Sequence, residues 1–239
     1  MINRLKLKYR GWRYKHRVDP MEINFILENI KPGQTVVDIG AHKGGYAYWL
    51  NKCIIPNGQL FCFEPHPELA SYLEKVFFRH LNKSIFIENA GVSSTTGTQN
   101  LIVPKQDIKT KIGSTFEEYK KQEEHCKIPV KTETLDNYFK NKNFKINFIK
   151  CDVEGHELEV FKGGHNLLIE DKPVLLFECE NSYRKGSSIY DVFSYLETLG
   201  YKGFFFSKKN IKPINQLRPE NISPKGNIHY VNNYLFMNS

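Results

Sequence analysis

The segment Thr35-Val36-Val37-Asp38-Ile39-Gly40-Ala41-His42-Lys43-Gly44-Gly45 constrains the fold of this chain more than any other. An apolar, β-branched run ends on Asp38 and Gly40. A glycine-rich turn follows, and Tyr46-Ala47-Tyr48-Trp49-Leu50 then reads as a helix. Strand, tight turn and helix in that order open a nucleotide-type α/β sheet. The glycines meet a physical need, because so tight a turn requires positive φ or close backbone approach. The spacing also argues against two ligands. A dinucleotide fingerprint needs Gly-x-Gly-x-x-Gly, whose second Gly lets backbone approach a pyrophosphate; His42 stands there instead. A phosphate-cradling loop needs Gly-x-x-x-x-Gly-Lys-Ser/Thr, and Lys43 is outside that frame. The turn suits a nucleoside ligand without a pyrophosphate, S-adenosylmethionine being the common one. The alternative is a helix-packing turn with no ligand.

The later strands repeat one theme at their ends. The second, Gln59–Phe63, runs into Glu64-Pro65-His66-Pro67. Glu64 lies 24 positions after Gly40, where an acid at the second strand end grips a ribose diol. The third, Ser84–Glu88, ends in Asn89-Ala90-Gly91-Val92; Asn89 faces an adenine edge or is an ordinary turn residue. The fourth, Ile146–Cys151, enters Asp152-Val153-Glu154-Gly155-His156-Glu157, and the fifth, Pro173–Phe177, ends on Glu178-Cys179-Glu180. Carboxyl ends of parallel strands define the ligand crevice of an open α/β sheet. Acids at four of them, on a nearly neutral body, point to a cationic or hydroxyl-rich ligand. There is no Gly-x-Ser-x-Gly elbow and no His pair with metal spacing.

Between these strands the helices are amphipathic. One starts at Asp19-Pro20-Met21-Glu22, with Asp19 as N-cap and Glu22 at the capping-box position. Thr98–Val103 reads as an added strand. Residues 104–127 form a polar insertion in which Gly113-Ser114-Thr115 makes a turn, with Ser114 and Thr115 as substrate candidates. A short strand at 128–131 follows, and two final strands, near Lys202–Phe206 and His229–Phe236, close the chain. No second domain is expected.

The formal charge of +8 is concentrated: residues 1–18 hold seven cations and no acid. They read as a basic arm, with the domain proper at 19–239. As a helix the arm sets Leu5, Tyr9 and Trp12 on one face. That suits an anionic membrane surface, or nucleic-acid phosphates, or a plain solvated helix that packs its aromatics on the domain. No apolar run approaches a membrane span. The five cysteines are odd in number and without metal spacing, as expected of a reduced, cytoplasmic protein, peripheral to a membrane if the arm binds one.

In Val37–Gly44, Phe63-Glu64-Pro65-His66, Asn89–Val92, Phe177-Glu178 and above all Ile149-Lys150-Cys151-Asp152-Val153-Glu154-Gly155-His156-Glu157, the chain resembles the FkbM-type methyltransferases dependent on S-adenosylmethionine. The resemblance covers about residues 20–180 and excludes the basic arm. It implies a Rossmann-like class I methyltransferase fold, α/β, with seven strands of which the last is antiparallel. It also implies O-methylation of a small or glycan-type acceptor, such as a sugar or polyketide. The turn contributes Asp38, Gly40, His42, Lys43, Gly44 and Tyr46 as cofactor candidates. Glu64, Pro65, Asn89, Ala90 and Asp152 complete that set. Glu154 is the candidate general base, His156 its rival, and Glu157 and Glu178 are candidates for the acceptor hydroxyl. No metal is expected. The alternatives are an RNA or N-methyltransferase guided by the arm, and a non-catalytic protein that binds the cofactor.

Overall fold

In the computed structural model, which describes residues 2–77, 84–104, 116, 125–180, 188–207, 210–222 and 230–238, Thr35–Ile39 forms β1 and is buried along its whole length. Ahead of it lie α1 (Ile2–Arg13) and α2 (Pro20–Asn29), and after it α3 (Gly45–Ile54). The chain continues through β2 (Gln59–Phe63), α4 (Pro67–Phe77) and β3 (Ile85–Glu88). A short excursion follows as β4 (Gly91–Val92), β5 (Gly97–Pro104) and β6 (His125–Glu133). The main fold resumes with α5 (Leu135–Tyr138), β7 (Ile146–Cys151), α6 (Glu157–Lys162), α7 (His165–Asp171) and β8 (Val174–Glu178). It ends with α8 (Ile189–Thr198), β9 (Tyr201–Ser207), β10 (Asn210–Pro213) and β11 (Asn233–Asn238).

The main sheet runs β10-β9-β11-β8-β7-β1-β2-β3. Strands β7, β1, β2, β3 and β8 pair in parallel, and β11 slots between β8 and β9 antiparallel to both. The antiparallel last strand matches expectation. The sheet has eight strands instead of seven, because β10 turns back on β9 and adds an edge. The excursion builds a separate three-stranded sheet, β4-β6-β5, in which β5 pairs with β6 along its full length. That pairing makes β6 longer than the short strand its sequence suggested. The turn read at Gly113-Ser114-Thr115, and with it Ser114 and Thr115, lies outside the described residues.

Both faces of the sheet are covered, as parallel strands require. Side chains alternate between faces, so neighbouring residues of one strand serve different cores. Val36, Leu60, Cys62, Phe148 and Leu176 meet α2, α3 and α4 on one side. Val37, Phe61, Ile149, Cys151 and Phe177 meet α5 to α8 on the other. Cys62, Cys151 and Cys179 are buried cysteines outside any disulfide among the described residues, packed as small apolar groups.

At the N-terminus the basic segment is a helix laid on the body, through Leu7 and Gly11 and not through Tyr9 and Trp12: Leu7 is buried, the Trp49 indole N–H donates to the Gly11 carbonyl at 2.8 Å, and Arg10 donates to the Lys43 carbonyl at 2.8 Å. Asp19 precedes α2 but its side chain does not cap it. Its carboxylate accepts instead from the Tyr46 hydroxyl at 3.0 Å. Glu22 is likewise buried, and burial pushes it up to about 7.

Candidate active site

The carboxyl ends of β1, β2, β7 and β8 converge on a cavity of about 320 Å³, at the lower end of ligand-pocket size. Gly40 makes the convergence possible. Its φ is 75°, and a Cβ there would stand 1.9 Å from the Asp152 carbonyl oxygen. Without a side chain the exits of β1 and β7 pass close enough for the Asp152 N–H to donate to the Ile39 carbonyl at 3.0 Å. Asp38 and Asp152 thereby share one wall.

Asp38 is buried, and among the described residues neither carboxylate oxygen has a hydrogen-bond partner at good geometry, the Ala47 N–H being the group that approaches it. Burial raises it to about 6, against the pull of the Lys150 ammonium. Lys150 lies opposite Asp38 in the β1–β7 register and donates to Asp152 at 2.9 Å, with its ammonium 4.8 Å from the centre of the Tyr46 ring. Burial disfavours its charge, but Asp152 and then Asp38 outweigh that and hold it above the usual lysine range. Sequence reasoning passed Lys150 over; a lysine inside an apolar strand is the signal that could have found it.

Glu64 is fully buried at the end of β2. Its two oxygens accept from the backbone N–H groups of His42 at 2.8 Å and His66 at 2.9 Å. These hydrogen bonds favour the charged form, yet burial still lifts it to about 7. Each oxygen keeps a lone pair for a ligand. Asn89 is spent on the backbone, donating to the carbonyls of Glu64 and Pro65, so it organises the turn after β2. Pro65 and Ala90 stand on the cavity wall with Leu69, Val92 and Phe116, and this side is apolar. The side below β1, β7 and β8 is acidic, with Asp38, Asp152, Glu154 and Glu178.

The turn after β7 is unusual backbone. Glu154 has φ 55° and Gly155 φ 103°. Glu157 is buried and pins the turn by accepting from the Gly155 N–H at 2.9 Å. His156 is buried too, its Nε2 2.9 Å from the Ser93 hydroxyl and its ring edge-on to Phe116. Glu154 lines the cavity; His156 and Glu157 support the loop behind it. Glu178 lines the cavity and accepts from Asn232 at 2.8 Å. Burial, and then the Asp152 carboxylate, push it up to about 9.

Of the turn candidates, Asp38, Gly40, His42 and Tyr46 line the cavity, and Lys43 and Gly44 do not. Gly44, with φ 79°, faces Leu7, Leu73 and Phe77, and the Lys43 carbonyl receives Arg10. Arg13 and Tyr14, from the segment read as an arm, also line the cavity. Tyr14 packs edge-on to Tyr46 at 5.5 Å, and burial pushes it up to about 12. Nothing in the local sequence marks Tyr14 for this place; it arrives through the packing of α1.

A buried carboxylate with no well-formed hydrogen bond among the described residues, a second acid with lone pairs to spare and a flanking apolar wall suit a cation that also carries a diol and a flat ring. S-adenosylmethionine has all three. A sequence model of the methyltransferase FkbM domain matches residues 38–202. No curated protein sequence matches the chain. Among solved structures, the FkbM methyltransferase of Methylobacillus flagellatus KT superposes with a TM-score of 0.55 at 16% identity, over 98% of this chain and 54% of that one. This chain therefore spans about half that protein's length. The O-methyltransferase of Bacillus cereus, solved with S-adenosylhomocysteine, gives 0.52 at 11% identity, over 99% and 90% of the two chains. The precorrin-6y C5,15-methyltransferase of Geobacter metallireducens GS-15 gives 0.52 at 11% identity, over 93% and 89%. These likenesses are of fold, whereas the domain match takes in every strand-end acid of the site, and on it the chain belongs to the FkbM family of methyltransferases dependent on S-adenosylmethionine.

Proposed function

We propose that the protein methylates a hydroxyl of a small or glycan-type acceptor, such as a sugar, a polyketide or a related metabolite. The observation that carries this reading is Glu154, a non-glycine residue held at φ 55° on the wall of the cavity. That conformation costs an ordinary residue about 1–2 kcal/mol, and such strain collects at functional sites where surrounding structure imposes it. Here Glu157 and the Gly155 amide impose it.

When bound, the cofactor supplies an electrophilic methyl group on a positively charged sulfur. Asp38 would hold its cationic end and Glu64 its ribose hydroxyls. The apolar wall of Pro65, Leu69 and Ala90 would hold the adenine. The remaining task is to align an acceptor oxygen and remove its proton. An alcohol is a poor nucleophile until a base takes that proton, and Glu154 is the base in this reading. Glu178, raised to about 9, keeps its proton near neutrality and can donate a hydrogen bond to the acceptor. His156, bonded to Ser93 behind the loop, aims the turn.

Glu154→Gln keeps the shape and removes the basicity. With a panel of hydroxylated acceptors, it should lower kcat by roughly 10²–10⁴ while cofactor affinity by calorimetry stays the same. Near-normal turnover would reject Glu154 as the base. Transfer to amines or RNA, with none to hydroxyls, would reject the acceptor class.

A further inference from the structure

Helix α1 has two apolar faces, and the fold uses one. Leu7 is buried against α3 and α4, and Gly11 comes so close that a Cβ there would stand 2.2 Å from the Tyr48 ring. On the opposite side Leu5, Tyr9 and Trp12 are 62, 61 and 43% exposed. Their i, i+4, i+7 spacing makes one stripe. The rings of Tyr9 and Trp12 stack at 5.9 Å, and His16 continues the line 5.4 Å from Trp12. Scattered exposed apolar residues need no explanation. Here three of the largest in the chain share one short helix already seated by its other side.

The charge around the stripe is one-signed. At about 100° per residue, Lys6 and Arg13 fall along one flank of α1 and Arg4 and Lys8 along the other. Residues 1–18 contain no acid. The Arg17 guanidinium lies 5.4 Å from the centre of the Trp12 ring. Cations at the edges with Leu, Tyr and Trp in the middle is the layout of an interfacial helix. The apolar stripe enters the headgroup boundary, and long basic side chains reach lipid phosphates on either side. Single-stranded nucleic acid is held in a positively charged groove with stacking rings, whereas this stripe lies on the outer face of a helix and includes the aliphatic Leu5.

We propose that α1 docks the protein on an anionic lipid surface, with Leu5, Tyr9 and Trp12 entering the interface. This goes beyond the proposed chemistry and does not depend on it. It has a consequence for substrate. Arg13 and Tyr14, at the end of the same helix, wall the cavity, so docking holds the cavity close to the lipid and favours acceptors presented there.

The full chain should float with vesicles of phosphatidylcholine mixed with phosphatidylglycerol and not with vesicles of phosphatidylcholine alone. High salt should weaken binding at least about tenfold. Leu5→Gln, Tyr9→Gln and Trp12→Gln together keep helix propensity and sit at exposed positions. They should lower vesicle affinity at least about tenfold, with melting temperature and cofactor affinity unchanged. Lys6→Gln with Lys8→Gln should lower it by about the same factor on the anionic vesicles. Equal binding to both vesicle types, or none to either, would overturn the proposal. So would wild-type affinity in both variants. Salt-sensitive binding of single-stranded RNA in preference to anionic vesicles would assign the face to nucleic acid and overturn it as well.

Discussion

At the scale of single residues, the site is built from groups that the fold leaves in costly states. Asp38 is the clearest, a buried carboxylate with no well-formed hydrogen bond at either oxygen among the described residues. Burying an unpaired charge is expensive and raises its pKa, and Asp38 indeed sits at about 6. Such a group destabilises the free protein and gains from a cationic ligand. Asp38→Asn should therefore separate the two effects. Thermal unfolding of the free variant should shift upward, while its affinity for S-adenosylmethionine falls by about 1.5–3 kcal/mol, the usual loss of a charge-assisted contact. Unchanged affinity by calorimetry would show that the cofactor does not use this carboxylate. Glu64 is a different case, because backbone donors at His42 and His66 already hold it. It shapes the turn as much as it awaits a ligand.

At the scale of elements, α1 is seated by close approach more than by side-chain volume. Gly11 lies against Tyr48, and its carbonyl receives Trp49. On propensity alone Gly11→Ala should stabilise the helix by about 1 kcal/mol. The Cβ, however, would stand 2.2 Å from the Tyr48 ring, and overpacking a tight contact costs about 1–3 kcal/mol. The packing cost should win or cancel the gain. Urea unfolding of Gly11→Ala should show no stabilisation, and Trp fluorescence should change as the Trp49 bond to Gly11 is strained. A gain of the full propensity difference would mean that α1 does not press on α3 as described. The same seating brings Tyr14 onto the cavity wall, so an element with no site motif of its own shapes the site.

At the scale of the whole molecule, the acids raised by burial tie stability to pH. Glu22 and Glu64 stand at about 7 and Asp38 at about 6, all above their unfolded values near 4. The folded state therefore binds more protons than the unfolded state between those limits. The stability these groups contribute is fully present below about pH 4 and is lost as pH rises through about 6 to 7. A cationic ligand prefers the ionised forms, so its stabilising effect grows across the same window. The upward shift in melting temperature caused by S-adenosylmethionine should be larger above pH 7 than below pH 6. A shift independent of pH would show that cofactor binding is not linked to these carboxylates.

The sequence by itself determined the order of the main elements and the edge on which the site stands. Both follow from local rules. Apolar runs such as Thr35–Ile39 can only be satisfied as buried strands, and parallel strands bring their carboxyl ends, with Asp38, Glu64, Asp152 and Glu178, to one side. The glycine at 40 was legible for the same reason, since the turn demanded it. Tertiary structure alone decided what each polar side chain does there. Asp19 reads as a helix cap and instead holds Tyr46. Asn89, His156 and Glu157 read as site groups and are bonded to backbone or to Ser93. Tyr14 carries no local signal of its role and Lys150 only its place inside an apolar strand, and both end at the cavity. A side chain's partners are set by which atoms from distant segments lie within about 3 Å of it, and spacing along the chain does not encode that. The N-terminal segment shows the same division. Its charge and its Leu5–Tyr9–Trp12 stripe are plain in sequence. Which of its two apolar faces lies on the body was settled by the close fit of Gly11 and Leu7 against the helices beneath.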